Sequence, residues 1–313
     1  MRCDTLDTAA LIAQTQLAAA YGRLLPNESL ELKFSGQLLR PVLSLVGASD
    51  AVRADQRFWY AALAVQLAHE ASLVHDDVVD NASVRRARPT VFAEKGVAAA
   101  VLEGDMLLTA AYLAAAKTDS AMFMARFAGS VARTVAAERL QGRQLGSRVD
   151  SGTYDAIAAG KAGELMGCAL AAAATISGCD ADAHEEIGRE IGLLYQMMDD
   201  LFDYCPAANT GKPALSDYSQ GRWTWILDEV PGAQLGLELD DVLAAVHMSR
   251  SPTDSSSALT RSAGKLCARI TSVASRSAAM FPGDVLLPAM LDGWVAMIAE
   301  SRTHGLAVAV TNV

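Results

Sequence analysis

Two short acidic segments carry carboxylates at the spacing of one helical turn. The first carboxylate motif is residues 75–80, His-Asp-Asp-Val-Val-Asp, and the second is residues 199–203, Asp-Asp-Leu-Phe-Asp. On a helix, Asp76 and Asp80 project from one face, and the outer aspartates of the second motif have the same spacing. Like charges placed in this way repel each other unless a cation lies between them. Mg²⁺ accepts carboxylate, water and phosphate oxygens, so both motifs predict magnesium sites.

Basic residues follow each motif. Arg85 and Arg86 come shortly after the first, and Lys212 and Arg222 come after the second. Guanidinium groups bind pairs of phosphate oxygens, which predicts a phosphate-bearing substrate. The alternative is that these cations only pair with acids on the surface. The chain has a formal net charge of −10, with 26 Lys and Arg against 36 Asp and Glu, which disfavours nucleic acid as a partner.

Each motif ends a mostly apolar tract, and these tracts predict helices. Proline-free stretches with apolar residues three and four apart cover residues 58–80, 102–116, 121–145 and 185–204. Strand-like alternation is not convincing anywhere. The pattern therefore predicts an all-α fold, in which several tracts are too apolar all round to be surface helices and must lie inside a bundle. Residues 251–257 are the best linker, but we read them as joining two helices, so that residues 1–313 form a single domain.

The other compositional features bound the class of protein. Five cysteines occur without a CxxC pair, which argues against a disulfide framework or a zinc site. The longest uncharged run, residues 165–179, is shorter than the ~20 residues of a membrane helix. No stretch near the first residue resembles a secretory signal. We expect a cytoplasmic protein with no transmembrane segment.

The order of these motifs resembles the all-trans polyprenyl diphosphate synthase family, the head-to-tail prenyltransferases. Between the two motifs lie further pieces in family order, at residues 103–105, 138–144 and 160–163, and the likeness covers residues 36–224. The resemblance implies a helical bundle of the isoprenoid synthase type with a central apolar cavity. It also implies three Mg²⁺ per active site, a homodimer, and at most peripheral membrane contact through the product.

The resemblance further implies roles for individual residues. The metal ligands would be Asp76, Asp80, Asp199 and Asp203, with Asp200 close behind. The allylic diphosphate would be held by Arg85, Lys161, Gln196, Lys212 and Arg222. Isopentenyl diphosphate would be held by Gln37, Arg40, His69 and Arg86. The groups most directly involved in catalysis would be Asp76, Asp80, Asp199, Lys161 and Arg222.

The chain departs from the family pattern at a few positions. Gln37 stands where the family usually has lysine, which removes a cation from the isopentenyl diphosphate site, and Ala87 and Ala162 replace the usual Gly and Thr. Every metal carboxylate is retained, so we expect an active enzyme with altered affinity or substrate preference. The implied reaction is magnesium-assisted ionisation of an allylic diphosphate, followed by attack of the isopentenyl double bond on the cation.

Side-chain size before the first motif predicts the product length. Ala68, Ala71 and Ser72 are small at positions where short-chain members usually place an aromatic residue, which predicts a product longer than 15 carbons. Tyr112 is the candidate floor of the channel. Two alternatives remain: a class I terpene cyclase, and a regulatory subunit of a heteromeric synthase. The second Asp-Asp-x-x-Asp motif and the alanine-rich helix that precedes the first motif favour the synthase over the cyclase.

Overall fold

The computed structural model describes residues 2–26, 38–86, 88–205, 214–251 and 254–310. Its internal contacts divide the chain into two compact units, each discontinuous in sequence. The first unit comprises Met1–Ala132, Glu164–Gly188 and Phe281–Ala289; the second comprises Arg133–Gly163, Arg189–Met280 and Met290–Val313. The prediction of a single domain stays a prediction.

The first unit is built from helices and one small hairpin. Its elements are α1 (Arg2–Leu24), α2 (Leu39–Leu45), α3 (Asp50–Ala54), α4 (Gln56–Val79), β1 (Val84–Arg85), β2 (Arg88–Pro89), α5 (Val91–Ala116), the first part of α6 (Ala121–Gln144), α8 (Glu164–Ile176) and the first part of α9 (Asp182–Asp203). Helix α4 packs against α5, α8, α1 and α2, so it lies at the centre of this unit.

The sequence of α4 explains both its start and its central position. Asp55 caps the helix, because its carboxylate accepts a 2.8 Å hydrogen bond from the Arg57 N–H. All of the residues from Ala61 to Ala68 are buried, which requires neighbours on every side and leaves no polar stripe for solvent. The helix therefore carries its acidic end on a firmly packed stem.

The helix after the hairpin is capped and then interrupted. The Thr90 hydroxyl accepts a 3.0 Å hydrogen bond from the Ala93 N–H at the start of α5. Gly96 then adopts φ 83° and ψ 175°, a conformation outside the helical region that breaks the run. Only glycine reaches this part of backbone space without strain.

The second unit contains the remaining elements. They are the latter parts of α6 and α9, α7 (Ser151–Ala158), a π-helical turn (Ala159–Gly163), α10 (Ser216–Ser219), a 3₁₀ turn (Trp225–Glu229), α11 (Leu239–His247), β3 (Ser249–Ser251), β4 (Asp254–Ser257), α12 (Ala258–Met280) and most of α13 (Leu286–Val310). Helix α12 packs against α11 and the 3₁₀ turn.

Paired glycines allow α9 to lie very close to the segment that precedes it in each unit. In the second unit a Cβ on Gly192 would lie 2.4 Å from the Gly163 Cα, and in the first unit a Cβ on Gly188 would lie 2.6 Å from the Gly167 Cα. Any side chain at these positions would meet backbone atoms. These glycines therefore set how closely α9 approaches the neighbouring backbone, seven or more residues before the second carboxylate motif.

The all-α prediction is confirmed, and the four helical tracts correspond to α4, α5, α6 and α9. The sequence did not predict the two hairpins, β1–β2 and β3–β4. The second hairpin begins at Ser249 and overlaps residues 251–257, the stretch read as a connection between helices, and it does connect α11 to α12. Strands of two to four residues are too short to produce a visible alternation.

Among the residues that the structure describes, two helical runs are long and apolar enough to cross a bilayer by length and composition alone. They are α5 and the continuous run Ser151–Ile176, whose apolar windows are 33% and 78% buried. The second value is that of a core helix. The first shows that much of the apolar surface of α5 is exposed.

Candidate active site

The first carboxylate motif lies at the carboxyl end of α4, and its members differ in burial. Asp76 and Asp80 are partly exposed, and the Asp80 N–H donates to the Asp76 carbonyl across 2.8 Å. Asp77 is only 6% exposed, and its carboxylate accepts a 2.7 Å hydrogen bond from Nε of Arg85. This ion pair compensates the burial of the Asp77 charge. The two outer aspartates are therefore the ones placed to meet a metal ion or a substrate.

Arg85 and Arg86 lie on the hairpin β1–β2, which fixes their positions. Arg86 occupies the turn with a left-handed φ of 51°. At the base of the hairpin the Thr90 hydroxyl donates to the Ala82 carbonyl across 2.7 Å. The hairpin thus holds the Arg85 guanidinium against the end of α4.

His69 lies two turns before the first motif, in positive surroundings. Burial lowers the pKa of the His69 imidazole well below its usual value, and the charges of Arg40, Arg86 and Arg85 lower it further. The imidazole is therefore neutral at pH 7 and offers an N–H donor rather than a cation. The charges of Arg40 and Arg86 reach His69, and the assignment of these three residues to one isopentenyl diphosphate site stays a prediction. Gln37 lies outside the described residues.

Gly104 makes room for His75, the first residue of the motif. A Cβ on Gly104 would lie 2.3 Å from Nε2 of His75. That nitrogen is 3.4 Å from Oδ1 of Asp105 and 3.4 Å from the Val101 carbonyl oxygen. From the sequence, residues 103–105 are recognisable only as part of the family resemblance. The sequence feature that could have predicted the contact with His75 is Gly104 itself, a glycine inside an alanine- and leucine-rich helix.

The second carboxylate motif also has one partly exposed and one buried aspartate at its start. Asp199 is partly exposed, whereas Asp200 is 4% exposed. The Tyr154 hydroxyl donates to Oδ2 of Asp200 across 2.6 Å, and Nε2 of Gln196 donates to Oδ1 across 2.8 Å. Burial, together with the charge of Asp217, raises the pKa of Asp200 to about 8. Gln196, predicted to bind the allylic diphosphate, thus also supports a carboxylate.

Asp203, the last residue of the second motif, binds the start of α10. Its Oδ1 accepts hydrogen bonds from the Ser216 N–H (3.0 Å) and hydroxyl (2.9 Å), and its Oδ2 accepts one from the Asp217 N–H (3.1 Å). Burial and the Asp217 charge raise the pKa of Asp203, and these hydrogen bonds act in the opposite direction. The Asp203 carboxylate thus already accepts three hydrogen bonds. Its assignment as a metal ligand stays a prediction.

Two of the cations predicted for the allylic diphosphate, Lys161 and Arg222, have carboxylate partners within the second unit. Lys161 lies in the π-helical turn, a kind of turn frequent at functional sites. Its Nζ is 2.7 Å from Oε1 of Glu138 and 2.6 Å from Oε1 of Gln141. Nη1 of Arg222 is 3.0 Å from Oδ1 of Asp217. Lys212 lies outside the described residues.

The residues predicted to set product length occupy two different environments. Ala68 and Ala71 are buried, at 4% and 1% exposed, and the Ser72 hydroxyl donates to the His69 carbonyl across 2.8 Å. Tyr112, by contrast, is 36% exposed, and its ring packs edge-on against Phe127 with 5.3 Å between centroids. Ala68 and Ala71 are thus internal to the first unit, and Ser72 is half-buried. The roles of these residues and of Tyr112 in setting product length stay predictions.

The donors in the two motifs fit a hard cation that binds together with a phosphate. In the part of the chain that the structure describes, no group of three or more His, Cys, Asp or Glu side chains is placed to hold a metal ion. Mg²⁺ commonly takes one or two carboxylates and fills its octahedron with water and substrate phosphate. Asp76 and Asp80 in the first unit, and Asp199 in the second, each suit such an ion, whereas a structural zinc site would need cysteine or histidine ligands.

A helical architecture with two carboxylate motifs, each ending a helix and each followed by arginine, defines an all-α protein of the isoprenoid synthase type. Residues 27–230 match the family model described as "Polyprenyl synthetase", and the chain belongs to that family.

Individual relatives agree with this assignment. Over 243 residues the chain is 32% identical to the (2E,6E)-farnesyl diphosphate synthase of Mycobacterium tuberculosis, a match that covers 67% of this chain and 66% of the relative, just under two thirds of its length. It is 34% identical over 199 residues to the octaprenyl diphosphate synthase of Haemophilus influenzae, which covers 60% of this chain and 59% of the relative. A polyprenyl synthase from Caulobacter crescentus, solved with calcium and isoprenyl diphosphate, is 25% identical with a TM-score of 0.74, covering 93% of this chain and 97% of that one.

Proposed function

We propose that this chain is a trans-prenyltransferase that condenses isopentenyl diphosphate with an allylic prenyl diphosphate, head to tail, with the help of Mg²⁺. The main support for the proposal is the pair of carboxylate motifs, each of which has a partly exposed aspartate. Each motif is also followed by an arginine that is held by a carboxylate, Arg85 by Asp77 and Arg222 by Asp217. The names of the curated relatives, which are prenyl diphosphate synthases, support the same activity.

The chain's own residues would bind and orient the two diphosphates. When bound, Mg²⁺ would neutralise charge on the leaving diphosphate, and we expect three ions per active site held by Asp76, Asp80 and Asp199. Arg85, Lys161 and Arg222 would hold the allylic diphosphate through charge-assisted hydrogen bonds. Arg40, His69 and Arg86 would hold isopentenyl diphosphate, with His69 as a neutral donor.

The reaction proposed for these residues needs no covalent enzyme intermediate. The allylic carbon–oxygen bond breaks, and the electron pair leaves with the diphosphate, giving a delocalised carbocation. The double bond of isopentenyl diphosphate supplies the electron pair for the new carbon–carbon bond. A proton then passes to the departed diphosphate, which restores a double bond. An apolar interior would keep water away from the cation.

We further propose that the product is longer than 15 carbons. Ala68 and Ala71 lie on the buried stem of α4, about two turns and one turn before the first motif, respectively, and Ser72 follows Ala71. A growing chain that follows α4 away from the metal ligands would meet no large side chain at these three positions. The relatives are named for products of different lengths, so the small residues of this chain carry the argument.

We also propose that the protein is a homodimer that associates through α5. Large apolar side chains on this helix are 38% to 66% exposed, namely Val97, Val101, Leu102, Met106 and Leu113. Large apolar side chains exposed along one helix are a feature of interaction surfaces. Light scattering of the purified protein should give twice the chain mass, and Leu102→Glu should give a monomer. A monomeric wild-type protein would contradict this assignment.

One experiment separates the proposed function from its two alternatives. Purified protein is mixed with Mg²⁺, radiolabelled isopentenyl diphosphate and allylic primers of different lengths, and the products are separated by chromatography. Elongated prenyl diphosphates support the synthase. A cyclic hydrocarbon would indicate a terpene cyclase, and turnover only after addition of a second subunit would indicate a regulatory protein.

A further inference from the structure

Tyr154 is a buried residue that reaches the second carboxylate motif from another helix. Its side chain lies on α7 and is 7% exposed. Its hydroxyl donates across 2.6 Å to Oδ2 of Asp200, 46 residues further along the chain. A buried tyrosine hydroxyl needs a hydrogen-bond partner, and here the partner is a carboxylate of the motif itself.

The second oxygen of Asp200 is also engaged. Nε2 of Gln196 donates to Oδ1 across 2.8 Å from one turn earlier on α9. Asp200 is therefore held from two directions, and its side chain cannot turn toward solvent without breaking both bonds. Neighbouring residues on a helix point about 100° apart, because a turn takes 3.6 residues. Holding Asp200 against α7 therefore fixes the direction in which Asp199 points.

Tyr154 also lies on the same helical run as Lys161. Helix α7 continues directly into the π-helical turn that carries Lys161. The Tyr154–Asp200 bond thus joins the segment that holds a predicted diphosphate-binding cation to the helix that holds a predicted metal ligand. Tyr154, Lys161, Asp199 and Asp200 all belong to the second unit.

We propose that Tyr154 is a positioning residue for the second carboxylate motif, holding Asp200 so that Asp199 and Lys161 take the positions needed to bind a magnesium diphosphate. This inference rests on the proposed function and adds to it a residue outside both motifs. Partners of metal-binding groups commonly affect metal affinity by 10- to 100-fold, roughly, when they are removed.

The test is Tyr154→Phe in the full-length protein, with Tyr218→Phe as the matched control. Tyr218 is also buried in the second unit, but its hydroxyl donates to the Gln234 carbonyl across 2.9 Å and contacts no motif carboxylate oxygen among the bonds described. Isothermal titration with inorganic diphosphate at fixed Mg²⁺ should show affinity weakened about tenfold in Tyr154→Phe and unchanged in Tyr218→Phe. The Mg²⁺ concentration giving half-maximal turnover should rise in parallel.

The outcomes separate this inference from the proposed function. If wild-type protein binds diphosphate with Mg²⁺ and Tyr154→Phe binds equally well, the positioning role is wrong and the proposed function stands. If the wild-type protein does not bind magnesium diphosphate at all, both are wrong. Weaker binding in Tyr154→Phe alone, with unchanged circular dichroism, supports the inference.

A double-mutant cycle covers the case in which Tyr154→Phe lowers stability. Asp200→Asn keeps the shape of the side chain and replaces one carboxyl oxygen with an amide nitrogen, and it is combined with Tyr154→Phe. If Tyr154 acts through Asp200, the loss of affinity in the double variant should be clearly smaller than the product of the two single losses. Independent, multiplying losses would overturn the inference, because Tyr154 would then act by another route.

Discussion

Nε of Arg85 donates to Oδ1 of Asp77 across 2.7 Å, and this bond ties the hairpin β1–β2 to the buried side of the first carboxylate motif. The guanidinium has five N–H donors, and this bond uses the one on Nε. The terminal nitrogens keep a fixed direction from which they can bind phosphate oxygens. Asp77 thus orients Arg85 and uses only one of its hydrogen-bond donors.

Asp77→Asn should weaken binding of the allylic diphosphate. The amide preserves the volume but accepts a hydrogen bond about half as strong as the carboxylate does, so Arg85 is held less firmly. The KM for the allylic substrate should rise about tenfold, with a smaller change in kcat. Steady-state kinetics measure both. Asp55→Asn, which disturbs a surface pair with Arg57, is the control and should change neither. A fall in KM would mean that Asp77 competes with the substrate for Arg85.

Asp76→Ala and Asp199→Ala should each abolish most turnover without unfolding the protein. Each removes a predicted magnesium ligand, and a loss of about 3 kcal/mol of transition-state stabilisation lowers kcat by at least about a hundredfold. The melting temperature should stay the same or rise, because a like-charge neighbour is removed. Radiolabel incorporation and circular dichroism provide the two measurements. Asp240→Ala, at the start of α11, is the control. Near-normal kcat in Asp76→Ala would falsify the metal assignment.

His69 should make stability depend on pH below neutrality. Its folded-state pKa is lowered by burial and by Arg40, Arg86 and Arg85, so the unfolded chain binds a proton more readily than the folded one. This contribution to stability is complete above the unfolded pKa of ~6.5 and is lost as the pH falls below it. Melting temperatures measured from pH 7.5 to pH 5 should therefore fall less steeply in His69→Gln than in wild type. If the melting temperatures of both proteins fall equally with pH, His69 is not the source of the pH dependence.

Gly192→Ala should destabilise the fold, whereas Gly264→Ala should not. The new Cβ at position 192 would lie 2.4 Å from the Gly163 Cα, so α9 would have to move away, at a cost of about 1–3 kcal/mol. At Gly264, inside α12, no atom lies within 4 Å of the new Cβ, and alanine favours the helix by about 1 kcal/mol. Chemical denaturation of both variants measures the difference. Equal stability would show that α9 has room to shift.

Product length should respond to side-chain size on α4. Ala71→Phe places an aromatic ring at a position that is 1% exposed, and it should shorten the main product. If a channel follows α4, the ring enters it with little loss of stability; in a fully packed core the same change costs about 1–3 kcal/mol. Tyr112→Ala should lengthen the product if Tyr112 is the floor. Unchanged product lengths in both variants, measured by chromatography, would rule out this path.

The sequence by itself determined the helices and the residues able to do chemistry. The spacing of apolar residues is a local property, and in the long tracts that form α4 and α9 it indicates a helix with little exposed surface. The carboxylate pairs Asp76–Asp80 and Asp199–Asp203 are likewise read from a spacing of four residues. Both the fold class and the nature of the motifs therefore followed from contacts within a few turns of the chain.

Only the tertiary structure decided how the carboxylates of each motif divide their roles. The spacing of four residues pairs Asp76 with Asp80 and Asp199 with Asp203, but it does not predict that Asp77 and Asp200 are the enclosed aspartates. The difference comes from a hairpin arginine for Asp77 and from Tyr154, 46 residues away, for Asp200. Such partners are brought together by packing across helices, where burial makes each unpaired charge costly and so selects which aspartate is enclosed and which stays exposed.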